Sequence, residues 1–264
     1  HAVRVTTNSE NLSYPHDHQP APWGVTDPIS YGFKRIFSRT WHMWIGLSLI
    51  FIVALIALIV AMITTLSVPL DVDNPSALTG GQIAALVVFY GIVFVVSIYL
   101  TALYYKAALR ETHGEEQTWG NVFKVVPIGR ALLAFIVVLG FMLVVYAIFA
   151  LVIFLASLVS PWLIALVGIL ALIAFIPVTI ILSFVQVNII DGYGVGDALS
   201  AARRDVMREF WKILASLLLL TLIGYAITIV TLGLGLAAYI PLASLVTVYI
   251  YRKISGGNVV PLSS

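Results

Sequence analysis

Two rows of polar side chains interrupt an otherwise apolar sequence. Ser97, Thr101 and Tyr104 fall at i, i+4 and i+7, with Tyr105 alongside. Thr179, Ser183 and Gln186 repeat that spacing, with Asn188 nearby. On helices, each row occupies one face. Hydroxyls and amides in such surroundings hydrogen-bond to a neighbouring helix, at about 1 kcal/mol per contact, or they line a groove for a lipid headgroup. Both readings stand at this point.

The remaining candidates for chemistry are weaker. Asp71, Val72 and Asp73 have the D-x-D spacing by which some glycosyltransferases hold a divalent metal. A short loop also favours Asp simply for turn formation. His16, Asp17 and His18, with His1, and His113 beside Glu115 and Glu116, fit solvated segments better than metal sites with a fixed second shell. No glycine-rich phosphate loop, nucleophile elbow or H-E-x-x-H helix occurs. The chain has no cysteine, which removes disulfides and thiolate ligands. No catalytic residue, metal or cofactor is expected.

The elements that must carry these rows are membrane spans. Hydrophobic residues make up 61% of the 264 positions and charged residues 10%, against roughly a quarter charged in soluble domains. The apolar blocks are long enough to cross a bilayer, which takes about 20 helical residues. The expected fold is an all-α integral membrane protein of six spans, at about 43–66, 82–105, 131–157, 162–189, 213–232 and 236–251. A single helix over 213–250 would be about 57 Å long, so this stretch is read as a hairpin turning at Gly233 and Gly235. No span holds Asp, Glu, Lys, Arg or His near its centre. Intramembrane ionisable groups mark proton relays and ion paths, so ion-coupled transport is not expected. The first apolar block is too long for a signal-peptide core and is read as a span.

All 14 Lys and Arg fall on one side of this topology. The positive-inside rule then puts both termini in the cytoplasm of a bacterial cell, with the protein in the inner membrane. A basic amphipathic stretch precedes each hairpin. In 197–220, Leu199, Ala202, Val206 and Phe210 form one apolar face. The stretch 27–50 matches it at an offset of 170, placing Ile29 on Leu199, Ser30 on Ser200, Lys34 on Arg204, Ile36 on Val206 and Trp41 on Trp211. The stretch 117–137 matches at an offset of 90, placing Phe123 and Lys124 on Phe33 and Lys34. The spans therefore read as three repeats of an interfacial amphipathic helix plus a helical hairpin. Asp27 is the expected cap of the first interfacial helix. Lys34, Arg35, Arg39, Lys124, Arg130, Arg203, Arg204 and Arg208 are the expected anchors to anionic lipid.

Residues 1–26 form a polar tail, 27–253 the six-span domain and 254–264 a second short tail. The layout of 27–253, with DPISYGFKRIFSRTW leading into a Trp-rich first span, resembles bacterial six-span families. It resembles notably those like the membrane domain of glycerophosphodiester phosphodiesterases, and their actinobacterial members look similar. The resemblance implies a fold and a membrane. The phosphodiesterase barrel is not expected in these 264 residues, and no catalytic residue carries over. Two functions are expected from the sequence. One is a scaffold or accessory subunit of an inner-membrane complex, contacting other membrane subunits through its spans and through a tail that docks by Pro20, Pro22 and Trp23. The other is a carrier or binder of a membrane lipid or amphiphile. Partners are membrane lipids and membrane protein subunits, not nucleic acid.

Overall fold

The computed structural model describes residues 21–66, 79–124 and 126–260. Its regular structure there is helical: α1 Asp27–Ile36, α2 Trp41–Leu66, α3 Gly80–Thr112, α4 Ile128–Ser157, α5 Pro161–Asp191, α6 Val195–Arg208, α7 Phe210–Val230 and α8 Leu236–Ile254. Among the described residues, 5 helices are long and apolar enough to cross a membrane: α2, α3, α4, α5 and α7. This is a multi-pass, all-α membrane protein. The last helix, α8, is shorter and ends in Tyr249, Tyr251, Arg252 and Lys253.

Local chemistry sets the helix ends. Thr79 and Gln82 form a capping box at α3, with Thr79 N–H donating to Gln82 Oε1 at 2.9 Å. Gln82 Nε2 also donates to the Leu66 carbonyl at 3.3 Å, tying α3 to the end of α2. Ser160 and Pro161 start α5. Gly192, at φ +130°, ends it in a conformation that side chains disfavour. Asp27 is the first residue of α1 rather than its cap. Its carboxylate accepts the Gly24 N–H at 2.7 Å, and Thr26 stands at the cap position without a side-chain bond.

The two outer amphipathic helices bury matching faces. In α1 the buried residues are Pro28, Ile29, Tyr31, Gly32, Arg35 and Ile36; in α6 they are Ala198, Ala201, Ala202, Asp205 and Val206. At an offset of 170 all five buried positions of α6 fall on buried positions of α1. The middle stretch departs from expectation. Residues 119–124 are turns, not an interfacial helix, and Pro127 stands at the start of α4. Pro127 removes a backbone donor, and Gly120 weakens the turn before it. The chain also breaks at Glu209, so Phe210 belongs to α7 and not to the stripe of α6.

The second helices of the three hairpins, α3, α5 and α8, touch one another. Around them α2 packs on α3 and α8, α4 on α5 and α3, and α7 on α8. Each segment leading into a hairpin lies against an inner helix: α1 on α8, α6 on α5, and the turns before α4 on the end of α3, where Arg110 donates to the carbonyls of Asn121 and Lys124 at 3.2 and 2.9 Å. Arg252 of α8 meets His113 at 2.7 Å, and Ser244 lies beside Tyr104 and Tyr105. So α8 runs parallel to the last half of α3. The turn between α7 and α8 therefore stops about 20–25 Å short of the far end of α3, at 1.5 Å per residue.

The core is concentrated at the basic end. The buried residues of α2 are Met43, Trp44, Leu47 and Ser48. Those of α3, apart from Gln82, run from Ile98 to Thr112, and those of α5 from Ile180 to Ile190. The far halves of α2 to α5 present exposed Leu, Ile, Val and Phe on nearly all sides.

Candidate functional site

Three adjoining cavities lie where the inner helices meet. The first, of about 310 Å³, is an apolar cleft between α2 and α3, lined by Phe51, Leu55, Leu58, Ile92 and Val96 and closed by Ile240 of α8. The second, of about 170 Å³, shares Leu100 and Ile240 with it and adds Thr101, Tyr104, Tyr105, Gln186 and Ser244. The third, of about 180 Å³, shares Ser97 with the first and Thr101 and Gln186 with the second; Phe94, Ile98, Ala131 and Phe135 complete it. Thr101 of α3, Gln186 of α5 and Ser244 of α8 thus put one polar side chain from each inner helix at one junction.

The hydroxyls are anchored by helix geometry. Ser97 Oγ donates to the Val93 carbonyl at 2.7 Å, Thr101 Oγ1 to the Ser97 carbonyl at 2.8 Å, and Ser244 Oγ to the Ile240 carbonyl at 3.3 Å. Each keeps lone pairs that accept. Tyr104 hydrogen-bonds Ser48 of α2 through its hydroxyl, and its ring stacks on Trp44 with centroids 6.4 Å apart. Among the described residues, no hydrogen-bond partner meets the Gln186 amide.

Of the polar rows read from the sequence, Ser97, Thr101, Tyr104 and Gln186 come together. Thr179 and Ser183 do not join them. Thr179 Oγ1 donates to the Ile176 carbonyl at 2.8 Å and Ser183 Oγ to the Ile180 carbonyl at 2.7 Å, and neither lines a cavity of this cluster. Thr179 and Gln186 lie on one face of α5 but stand seven residues, about 10 Å, apart along its axis, so they need not meet the same neighbour. Tyr105, noted alongside the first row, joins the cluster, whereas Ser244 and Ile240 were missed. The signal for Ser244 is present in the sequence, since Ser244 and Thr247 are three apart on α8.

The basic residues also divide. Lys34, Arg39, Lys124, Arg130 and Arg203 are exposed, as anchors require. Lys34 lines an open cleft with Tyr31, Tyr249 and Lys253, and Arg130 Nη1 donates to the Ile189 carbonyl at 3.4 Å. Arg204 and Arg208 turn toward the buried Asp205, at 3.2 and 3.5 Å, and Arg208 Nη2 also donates to the Ile254 carbonyl at 2.7 Å. Both keep exposed surface. Arg35 is not an anchor. It is buried and pairs with Glu111 at 2.9 Å, the two side chains being 8% and 1% exposed. Glu111 Oε1 also accepts the Gln117 N–H at 2.8 Å. The Arg35 guanidinium lies 5.4 Å from the Tyr31 ring centre. Burial pushes the Tyr31 phenol up to about 12, so it stays neutral beside the pair. The helical phase of α1 turns Arg35 inward while Lys34 points out.

The tail reading changes as well. Trp23 is buried within this chain, with Lys212 Nζ 5.8 Å from its ring, and Ala21 N–H donates to the Lys253 carbonyl at 3.1 Å. Trp23 is therefore part of the chain's own core. Pro22 is exposed. Pro20, His1, His16, His18, Asp71 and Asp73 lie outside the described residues. No protein-family model, curated protein or solved structure matches this chain, so a functional reading rests on the site itself.

Proposed function

We propose that this chain is a non-catalytic multi-pass membrane protein that binds a membrane lipid or other amphiphile. The headgroup sits at Thr101, Gln186 and Ser244, and the acyl chain lies in the α2–α3 cleft. The observation that carries this is the joining of an apolar cavity of about 310 Å³ to two polar-lined cavities of about 170 and 180 Å³. Together they fall within the range of about 300–1,000 Å³ typical of ligand sites. One end apolar and one end hydrogen-bonding is the shape of an amphiphile. Ile240 of the short α7–α8 hairpin closes one side of the cleft.

The same reading places the basic end at the cytoplasmic face of a bacterial inner membrane, because Lys and Arg collect there. It takes α8 as a sixth, short span and the three hairpins as repeats around α3, α5 and α8. The matched buried faces of α1 and α6 support the repeat. The scaffold reading drew on the tail, and the described part of that tail packs inside this chain, so the amphiphile reading is preferred.

The test is lipid content. Protein purified in mild detergent is extracted and its lipids are identified by mass spectrometry. The wild type is expected to carry one amphiphile per chain, and the combined Thr101→Val, Gln186→Leu and Ser244→Ala variant to lose it with its unfolding temperature little changed. An equal lipid load in the two proteins would sink the proposal.

A further inference from the structure

The cavities also indicate which lipid. Every polar side chain lining the two polar cavities is uncharged: Ser97, Thr101, Tyr104, Tyr105, Gln186 and Ser244. No Lys, Arg or His lines them or the apolar cleft. The basic residues stand elsewhere, at the outer rim or in ion pairs with Glu111, Asp205 and Glu209. A phosphate placed in these cavities would be a buried anion without a cation, which is strongly disfavoured. A hydroxyl would not be. It both donates and accepts, and the site offers both functions. Among the described residues the Gln186 amide and the Tyr105 hydroxyl have no partner, while Ser97, Thr101 and Ser244 have committed their protons to backbone carbonyls and keep lone pairs.

We infer that the occupant is an uncharged lipid with a hydroxyl headgroup, of the diacylglycerol kind, and not an anionic phospholipid. This rests on the amphiphile-binding reading and narrows it. Anionic lipids are left to the exposed rim at Lys34, Arg39, Lys124 and Arg203. The binding site therefore sorts lipids by charge: the surface gathers the anionic ones and the interior takes a neutral one.

The test uses two probes with identical acyl chains bearing a photoreactive diazirine, one a diacylglycerol and one the corresponding phosphatidate. The full chain is reconstituted in phosphatidylcholine nanodiscs, irradiated, and mapped by peptide mass spectrometry. The diacylglycerol probe is expected to label peptides containing Ile92, Val96 and Ile240 at least about tenfold above the phosphatidate probe, whose anion meets no cation there. Gln186→Leu is expected to reduce this labelling about fivefold, the worth of one hydrogen bond. Ser183→Ala, off the cavities, leaves it unchanged. Equal or stronger labelling of the cleft by phosphatidate overturns the neutral-headgroup inference while leaving an amphiphile site in place. Labelling of the cleft by neither probe, with both labelling the exposed faces of α4, overturns the amphiphile reading itself. Should Gln186→Leu lose its wild-type unfolding temperature, Thr101→Val serves in its place, and undiminished labelling in a folded variant of either kind also counts against the inference.

Discussion

The two ends of this bundle are built by different rules. At the basic end the side chains interlock: Arg35 with Glu111, Arg252 with His113, Tyr251 with Asp191, Ser48 with Tyr104. At the far end, among the described residues, Gln82 and Ala156 are the buried positions in the outer stretches of α2 to α5, and the rest is an apolar surface. The difference follows from the solvent. Lipid tails are as apolar as leucine, so burying leucine between helices in the membrane gains little. Polar contacts are what fix one arrangement over another. The frame is therefore set at the basic end, and the far ends of α2 to α5 follow as helical extensions. The candidate site lies at the border between the two regions, where a fixed polar junction opens into a loosely packed apolar cleft.

That contrast is broken most severely by Glu111→Ala. It leaves Arg35 buried without a counter-charge and the Gln117 N–H without its acceptor. A loss of about 3–5 kcal/mol is expected, read from denaturant unfolding in mild micelles. A change below 1 kcal/mol would mean that the pair does not hold α1 to α3.

Gly32→Ala comes next. A Cβ there would stand 2.7 Å from Leu242 Cδ1 and 3.3 Å from Val246 Cγ2. Forcing α1 off α8 is expected to cost about 1–3 kcal/mol, and a neutral or stabilised variant would show that the two helices are free to separate. Tyr104→Phe removes the hydroxyl that meets Ser48 and should cost about 1 kcal/mol in the same measurement. It sharpens the comparison, because it probes the last polar contact before the apolar region begins.

At the far end, Val88→Ala and Leu143→Ala change side chains that are 59% and 60% exposed on α3 and α4 respectively. Each is expected to shift stability by less than about 0.5 kcal/mol. Losses equal to that of Glu111→Ala would erase the distinction between the two ends.

Much of this fold was legible in the sequence, for physical reasons. Apolar blocks of bilayer length mark the spans, and Ser160–Pro161 and Gly192 mark helix ends, because those signals act locally. The 170-residue correspondence of α1 with α6 was legible in residue type, and the buried faces match it. The middle segment was not, because Pro127 and Gly120 override an apolar stripe of the right spacing. Arg35 was misread since Lys34 and Arg35 are adjacent, and which of the two faces inward depends on the phase of α1 against Glu111, 76 positions away. For the site, Thr101 and Gln186 were within reach as polar positions on apolar helices. Their meeting with Ser244 was not, because the level of α8 against α3 is set by tertiary contacts such as Arg252 with His113.

The most direct measurement exploits the absence of cysteine. Thr101→Cys introduces a single thiol at the polar junction, and Leu143→Cys a single thiol on the exposed face of α4. Each variant is reacted with a membrane-permeant methanethiosulfonate in phosphatidylcholine nanodiscs, with and without dioleoylglycerol. The account predicts that dioleoylglycerol slows modification at position 101 and leaves position 143 unchanged. Equal rates at position 101 with and without the lipid would contradict an occupied site at the junction of α3, α5 and α8.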